Sequence, residues 1–226
     1  MKKTITVLLV LLTIQMYAQD KLQSIVNVTG EGIVKVTPDQ VTIRMSVENS
    51  GNDAIELKTI NDKAVDGVLQ HIKRSGVDAK DVQTQYVTLN KRYDYNTKTY
   101  SFQATQTITV LLRDLTKYDA LISGLMQRGI NRIDGISFGS SNSVKLQSQA
   151  RKKAIADAKT KAEEYASVLN QKIGKAIQIS EQASYSPPIS LYRTDAMIMS
   201  SEGGGETLAV GEMEITAKIQ VVFELQ

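Results

Sequence analysis

The chain of 226 residues contains no cysteine. That one absence removes disulfides, thiol catalysis and thiolate metal sites together. Histidine is nearly as scarce: His71 is the only one. A histidine-based triad would have to use a residue at the margin of a helical apolar face, beside Ile60, where an ordinary partly exposed side chain is expected. Metal sites built from Cys and His fail on count, and no Ser-x-x-Lys spacing offers lysine-assisted serine chemistry. An excess of one charge is missing as well. The 27 basic and 24 acidic residues give a formal +3, which is not the footprint of a nucleic-acid binder. These absences lead to an expectation of no catalytic residue, no cofactor, no metal and no nucleic-acid partner.

What the chain does have begins at its first residues. Met1-Lys2-Lys3 precedes a nearly all-apolar run from Thr4 to Ile14, and Gln15-Met16-Tyr17-Ala18-Gln19 follows. A charged start, a short apolar run and a small residue describe a secretory signal peptide over residues 1–18, cut after Ala18. The run is shorter than the roughly 20 residues of a membrane-spanning helix, so no integral membrane segment is expected after the cut. No cysteine is there to carry a lipid. The remaining 208 residues would hold 25 basic residues against 24 acidic ones, a formal +1. A periplasmic or secreted protein is expected, with residues 19–226 forming its folded domain.

Along that domain, period-2 alternation predicts a strand over Ile25–Val36, bent or bulged at Gly30-Glu31-Gly32, and another over Gln40–Asn49 after a turn at Thr37-Pro38-Asp39. Asn52 or Asp53 can cap a helix running to about Arg74, with Leu57, Ile60, Ala64, Val65, Val68 and Ile72 on one face. Asp81–Tyr95 and Thr99–Leu112 read as two long strands around Asn96-Thr97-Lys98. A short helix capped by Asp114 stops at Gly129, and a strand over 131–139 follows. Then comes a long helix with alanines at 150, 154, 158, 162 and 166, a narrow smooth stripe fit to pack closely on a sheet. Leu146, Ile155, Tyr165 and Leu169 are expected to widen the stripe. Strands at about 176–180 and 212–225 complete the pattern, separated by a long loop over 184–210.

The expected fold is therefore α+β, with a mainly antiparallel sheet. Gln40 to Gly139 reads as a ferredoxin-like split β-α-β-β-α-β core, extended by the alanine-rich helix and additional strands. Gly30-Glu31-Gly32 joins strand to strand and so lacks the helix N-terminus that a phosphate loop requires. Tyr86, Tyr93, Tyr95 and Tyr100 gather around the central hairpin with Arg92 nearby. Such tyrosines stabilise sheets first and make an aromatic rim for a partner second. Tyr192, Met197 and Met199, in the long loop, are the other candidate partner contacts; the two methionines could also take up oxidant. An envelope hydrolase using carboxylates or tyrosines by the 86–100 hairpin is the alternative reading.

Six segments carry a resemblance when taken in order: VTGEGIVKVTPDQ (28–40), DVQTQYVTLNKRYDY (81–95), TITVLLRDLTKYDALI (107–122), GINRIDGISFGSSN (129–142), ARKKAIADAKTKAEEYA (150–166) and GEMEITAKIQVVFEL (211–225). Together they resemble the SIMPL-domain family, whose bacterial members include periplasmic oxidative-stress-defence proteins and periplasmic immunogenic antigens. The resemblance implies an exported, non-enzymatic α+β protein tied to envelope integrity or oxidative-stress tolerance. It also implies a homo-oligomer or a protein bound to an envelope partner, and it transfers no catalytic residue.

Overall fold

The computed structural model describes residues 24–96, 98–182 and 210–226; the expected signal peptide, Tyr192, Met197 and Met199 lie outside them. The chain is α+β with mostly antiparallel strands, in two compact units. Of the described residues, one unit is drawn from 24–33, 148–182 and 216–226, the other from 34–147 and 210–215.

The first unit holds most of strands β1 (Ile25–Val36) and β8 (Met213–Leu225), all of β7 (Ile173–Gln182), and most of the long helix α3 (Ser143–Val168). Its sheet order is β1-β8-β7. The alanine stripe packs as its spacing predicts: Ala150, Ala154, Ala158, Ala162 and Ala166 are all fully buried. The glycines of β1 explain how. A Cβ on Gly30 would fall 1.9 Å from the Ala154 carbonyl oxygen, and one on Gly32 would fall 2.0 Å from that of Ala150. Helix backbone rests directly on strand backbone, a contact only glycine permits. Of the side chains expected to widen the stripe, Leu146 is half-buried, whereas Ile155, Tyr165 and Leu169 are exposed. At this separation the interface is filled by alanine and glycine, and larger side chains are turned outward.

Three side chains of α3 also reach the backbone of β1. Lys161 Nζ donates to the Thr29 carbonyl (3.1 Å), the Glu31 N–H donates to Asp157 Oδ2 (2.8 Å), and Lys153 Nζ donates to the Ile33 carbonyl (2.9 Å). Spaced by four residues on one helix face, they satisfy alternate polar groups on a strand that, among the described residues, pairs with β8 alone. The helix takes the place of a neighbouring strand there, which blocks that edge against another chain.

The second unit is built on β2 (Gln40–Gly51) and β5 (Thr99–Leu112), joined by helix α1 (Ala54–Arg74) and strands β3 (Val82–Thr84) and β4 (Thr88–Asp94); α2 (Tyr118–Met126) and β6 (Arg132–Gly139) follow. The sheet order is β3-β5-β2-β6, with β4 also paired to β5. Val41, Ile43, Met45 and Val47 of β2 alternate onto one face with Ile108, Val110 and Leu112 of β5, under Val65, Val68 and Ile72 of α1 and Leu121 and Leu125 of α2. The caps follow the sequence: Asp53 accepts from the N–H groups of Ile55 and Glu56 at 2.8 Å each, and Gly129 carries the positive φ (+115°) of a helix stop.

Two expectations fail in instructive places. Ile60 is 47% exposed, and Asn61 takes the buried position instead, donating to the Val47 carbonyl at 3.2 Å and to Asn49 Oδ1 at 3.1 Å. The expected strand 81–95 is interrupted at Gln85–Val87. Thr84 pairs with Ile108 and Thr88 with Thr105, so three residues stand on this side against two on β5, the extra residue of a bulge.

Candidate functional site

Strand β4 pairs with β5 along one side, from Thr88 opposite Thr105 to Asp94 opposite Thr99, and all seven of its residues are exposed. Alternation gives the hairpin two unlike faces. Leu89, Lys91 and Tyr93 lie opposite Ala104, Phe102 and Tyr100. The rings of Tyr93 and Tyr100 are 4.9 Å apart, and Tyr95 meets Tyr93 edge-on at 5.0 Å. The Lys91 ammonium sits 4.0 Å above the Tyr100 ring and 6.0 Å from that of Phe102. An exposed cation–π contact of this kind is worth about 0.5–1 kcal/mol. It holds an aromatic surface in place while leaving it in solvent: Tyr93, Tyr95 and Tyr100 remain 40%, 84% and 57% exposed.

Of the tyrosines singled out in the sequence, three are therefore brought together. Tyr86 is not among them. It stands 98% exposed at the bulge and lines a separate cleft of about 480 Å³ with Lys58, Asp62, Thr84, Gln85, Val87 and Gln106. Arg92 lies opposite Ser101, on the other face of the hairpin. The cation of the aromatic face is Lys91, which sequence reasoning missed although period-2 alternation with Tyr93 places it there. His71 is half-buried at the end of α1, with its ring against α2; a Cβ on Gly124 would fall 2.1 Å from His71 Nε2. It packs two helices together.

The arrangement offers aromatic area, a fixed cation and a strand that, among the described residues, pairs with β5 alone, the ingredients of strand addition and aromatic docking. The one carboxylate lining the Tyr86 cleft, Asp62, is ion-paired to Lys58 at 2.6 Å. Among the described residues no group of three or more His, Asp or Glu side chains could hold a metal ion.

Comparison with known proteins gives the chain its relatives. The family described as "SIMPL: Protein of unknown function (DUF541)" matches residues 26–223. The chain belongs to the SIMPL family. The 26 kDa periplasmic immunogenic protein of Brucella melitensis is 26% identical over 211 residues, covering 89% of this chain and 84% of that protein. The uncharacterized protein YggE of Escherichia coli K12 is 26% identical over 204 residues, covering 88% and 82%. A Xenopus laevis homolog of interleukin-1 receptor-associated kinase 1-binding protein 1 is 22% identical over 161 residues, covering 70% of this SIMPL chain and 63% of that protein. The Brucella relatives are named as periplasmic. Among the described residues of this SIMPL protein, no helix is long and apolar enough to cross a membrane.

Proposed function

We propose that this SIMPL protein is exported, with its signal peptide cut after Ala18, and acts in the cell envelope by protein contact or self-assembly rather than by catalysis. The observation that carries the reading is strand β4: among the described residues bonded to a strand on one side only, exposed along its whole length, and fused to the Tyr93–Tyr95–Tyr100 cluster. An exposed edge invites pairing with another chain, and tyrosines supply large contact area at low entropic cost. A role in oxidative-stress defence rests on the family resemblance. The sheet order β6-β2-β5-β3 of the second unit supports the split β-α-β-β-α-β core: read from the first strand of that motif, the fourth and third flank it and the second lies outermost.

Sedimentation velocity of the purified protein tests the reading. The wild type should sediment as an oligomer at micromolar concentration. The triple variant Tyr93→Ser/Tyr95→Ser/Tyr100→Ser, whose side chains lie outside the core, should shift towards monomer with an unchanged circular dichroism spectrum. An oligomer indifferent to these substitutions would remove the hairpin from the assembly. A monomeric wild type that also captures no envelope protein through the hairpin would end the reading.

A further inference from the structure

The face of the β2–β5–β6 sheet opposite the core is polar, and a site is assembled on it. Its key is a bulge in β6. Arg44 pairs with Gly135 and Met45 with Ile133, which leaves Asp134 as an extra residue without a partner across the ladder. Bulges re-aim side chains, and this one aims the Asp134 carboxylate at the Ser46 hydroxyl, which donates to Asp134 Oδ2 and is itself within 3.2 Å of Thr107 Oγ1. Ser46 is only 2% exposed and forms the floor. Arg132, opposite Ser46 in the ladder, is held from both ends, by Asp134 Oδ1 at 2.7 Å and Glu48 Oε2 at 3.5 Å.

Arg44, Ser46, Thr105, Thr107, Arg132 and Asp134 line a cleft of about 360 Å³, within the size range of small-molecule sites. Two features of the lining say what fits. Arg44 is exposed and has no carboxylate within ion-pair distance among the described residues, so its guanidinium is the uncompensated charge of the cleft. The Thr105 hydroxyl, likewise bonded to no described residue, stands beside Thr107. At the far side, Asp134 and Glu48 share the single Arg132, and this excess of negative charge disfavours a dianion. The backbone beside Arg44 is clear: a Cβ on Gly135 would meet nothing within 4 Å.

We infer that this cleft binds a small hydroxylated monocarboxylate of about monosaccharide size, such as a sugar acid. The carboxylate would pair with Arg44, whose planar fork suits that group, and the hydroxyls would exchange hydrogen bonds with Thr105 and Thr107. The proposal stands apart from the assembly reading and uses none of the same residues.

Ligand-observed saturation-transfer NMR and equilibrium dialysis on the purified protein, with D-glucuronate, D-glucose, acetate and glucose 6-phosphate as probes at low salt, provide the test. Glucuronate should bind saturably, about tenfold or more tighter than glucose or acetate and tighter than glucose 6-phosphate. Arg44→Gln, at an exposed position, should reduce glucuronate binding to the level of glucose. Gly135→Phe should fill the cleft and abolish it, whereas Lys91→Gln, on the aromatic face of the hairpin, should leave it intact. No saturable binding of glucuronate would overturn the inference. So would equal binding of acetate, equal or tighter binding of the phosphate, or an Arg44→Gln protein that binds like wild type.

Discussion

A single hydrogen atom at residue 32 decides how close a helix and a strand can come. On Gly32 a methyl group would sit 2.0 Å from the Ala150 carbonyl oxygen and 2.5 Å from the Ala154 backbone nitrogen. Both are backbone atoms of α3, and neither can swing aside as a flexible side chain would. Gly32→Ala therefore has to push helix from strand or distort both, an overpacking penalty of about 2–3 kcal/mol. Urea denaturation followed by helical circular dichroism should show a midpoint lowered accordingly. Gly135→Ala, with nothing within 4 Å of its Cβ, should move the midpoint by no more than about 0.5 kcal/mol. Equal effects at the two positions would contradict the close approach. The sequence showed the Gly30-Glu31-Gly32 triplet and the alanine stripe, but not that the one answers the other. A period of 3.6 names a buried face without saying how near its neighbour lies. The same limit explains Asn61: helical spacing assigns the place to Ile60, whereas Asn61 lies where the Val47 carbonyl needs a donor.

At the scale of elements, strand boundaries were legible wherever apolar and polar residues alternate. Ile25–Val36 is predicted and observed with the same ends. The bulges at Gln85–Val87 and Asp134 were not, because an extra residue changes a strand's partner while leaving its composition strand-like. Both candidate sites lie beside one, which is why Tyr86 parts from the other tyrosines and why Asp134 is absent from any reading of spacing. The edge cap of β1 is legible only in part: Asp157–Lys161 is visible as a pair four residues apart and is found at 2.7 Å, but its acceptance of the Glu31 N–H is a tertiary fact. Its hydrogen bond from Lys161, and then that from Glu31, holds the Asp157 carboxyl below its ordinary value of 3.8. A carboxyl lowered on folding adds stability that is complete above pH 3.8 and is lost as pH falls through its folded value. Asp157→Ala should thus be less stable than wild type at pH 6, by about 1 kcal/mol or less because the pair is a third exposed and screened. The two should converge in acid below the ordinary carboxyl range. A difference that persists at pH 2 would assign the effect to packing.

For the whole molecule, the consequential fact is where the two ends of the described chain lie in the first unit. The Leu225 N–H donates to the Ser24 carbonyl at 2.8 Å, Gln220 Nε2 to Asn27 Oδ1 at 3.0 Å, and Lys218 pairs with Glu31 at 3.5 Å. The last strand thus runs antiparallel to the first and lies between it and β7. It brings Ala217, Ile219, Val221 and Phe223 into the core. The three large side chains contribute about 1.5–3 kcal/mol each on burial, a sum comparable with the 5–15 kcal/mol that holds a typical domain together. With no cysteine available for a disulfide, nothing covalent offsets their loss. Truncation after Gly211 should therefore cost this unit its fold, although β1, α3 and β7 would all still be present in the chain. Hydrogen–deuterium exchange read by mass spectrometry would report it directly: amides over 150–166, protected in the intact protein, should exchange at the rate of an unfolded peptide in the truncated one. Full protection of that stretch would mean that α3 and β1 hold each other without the central strand. The glycine–alanine contact would then be the source of this unit's stability, and β8 an addition to it.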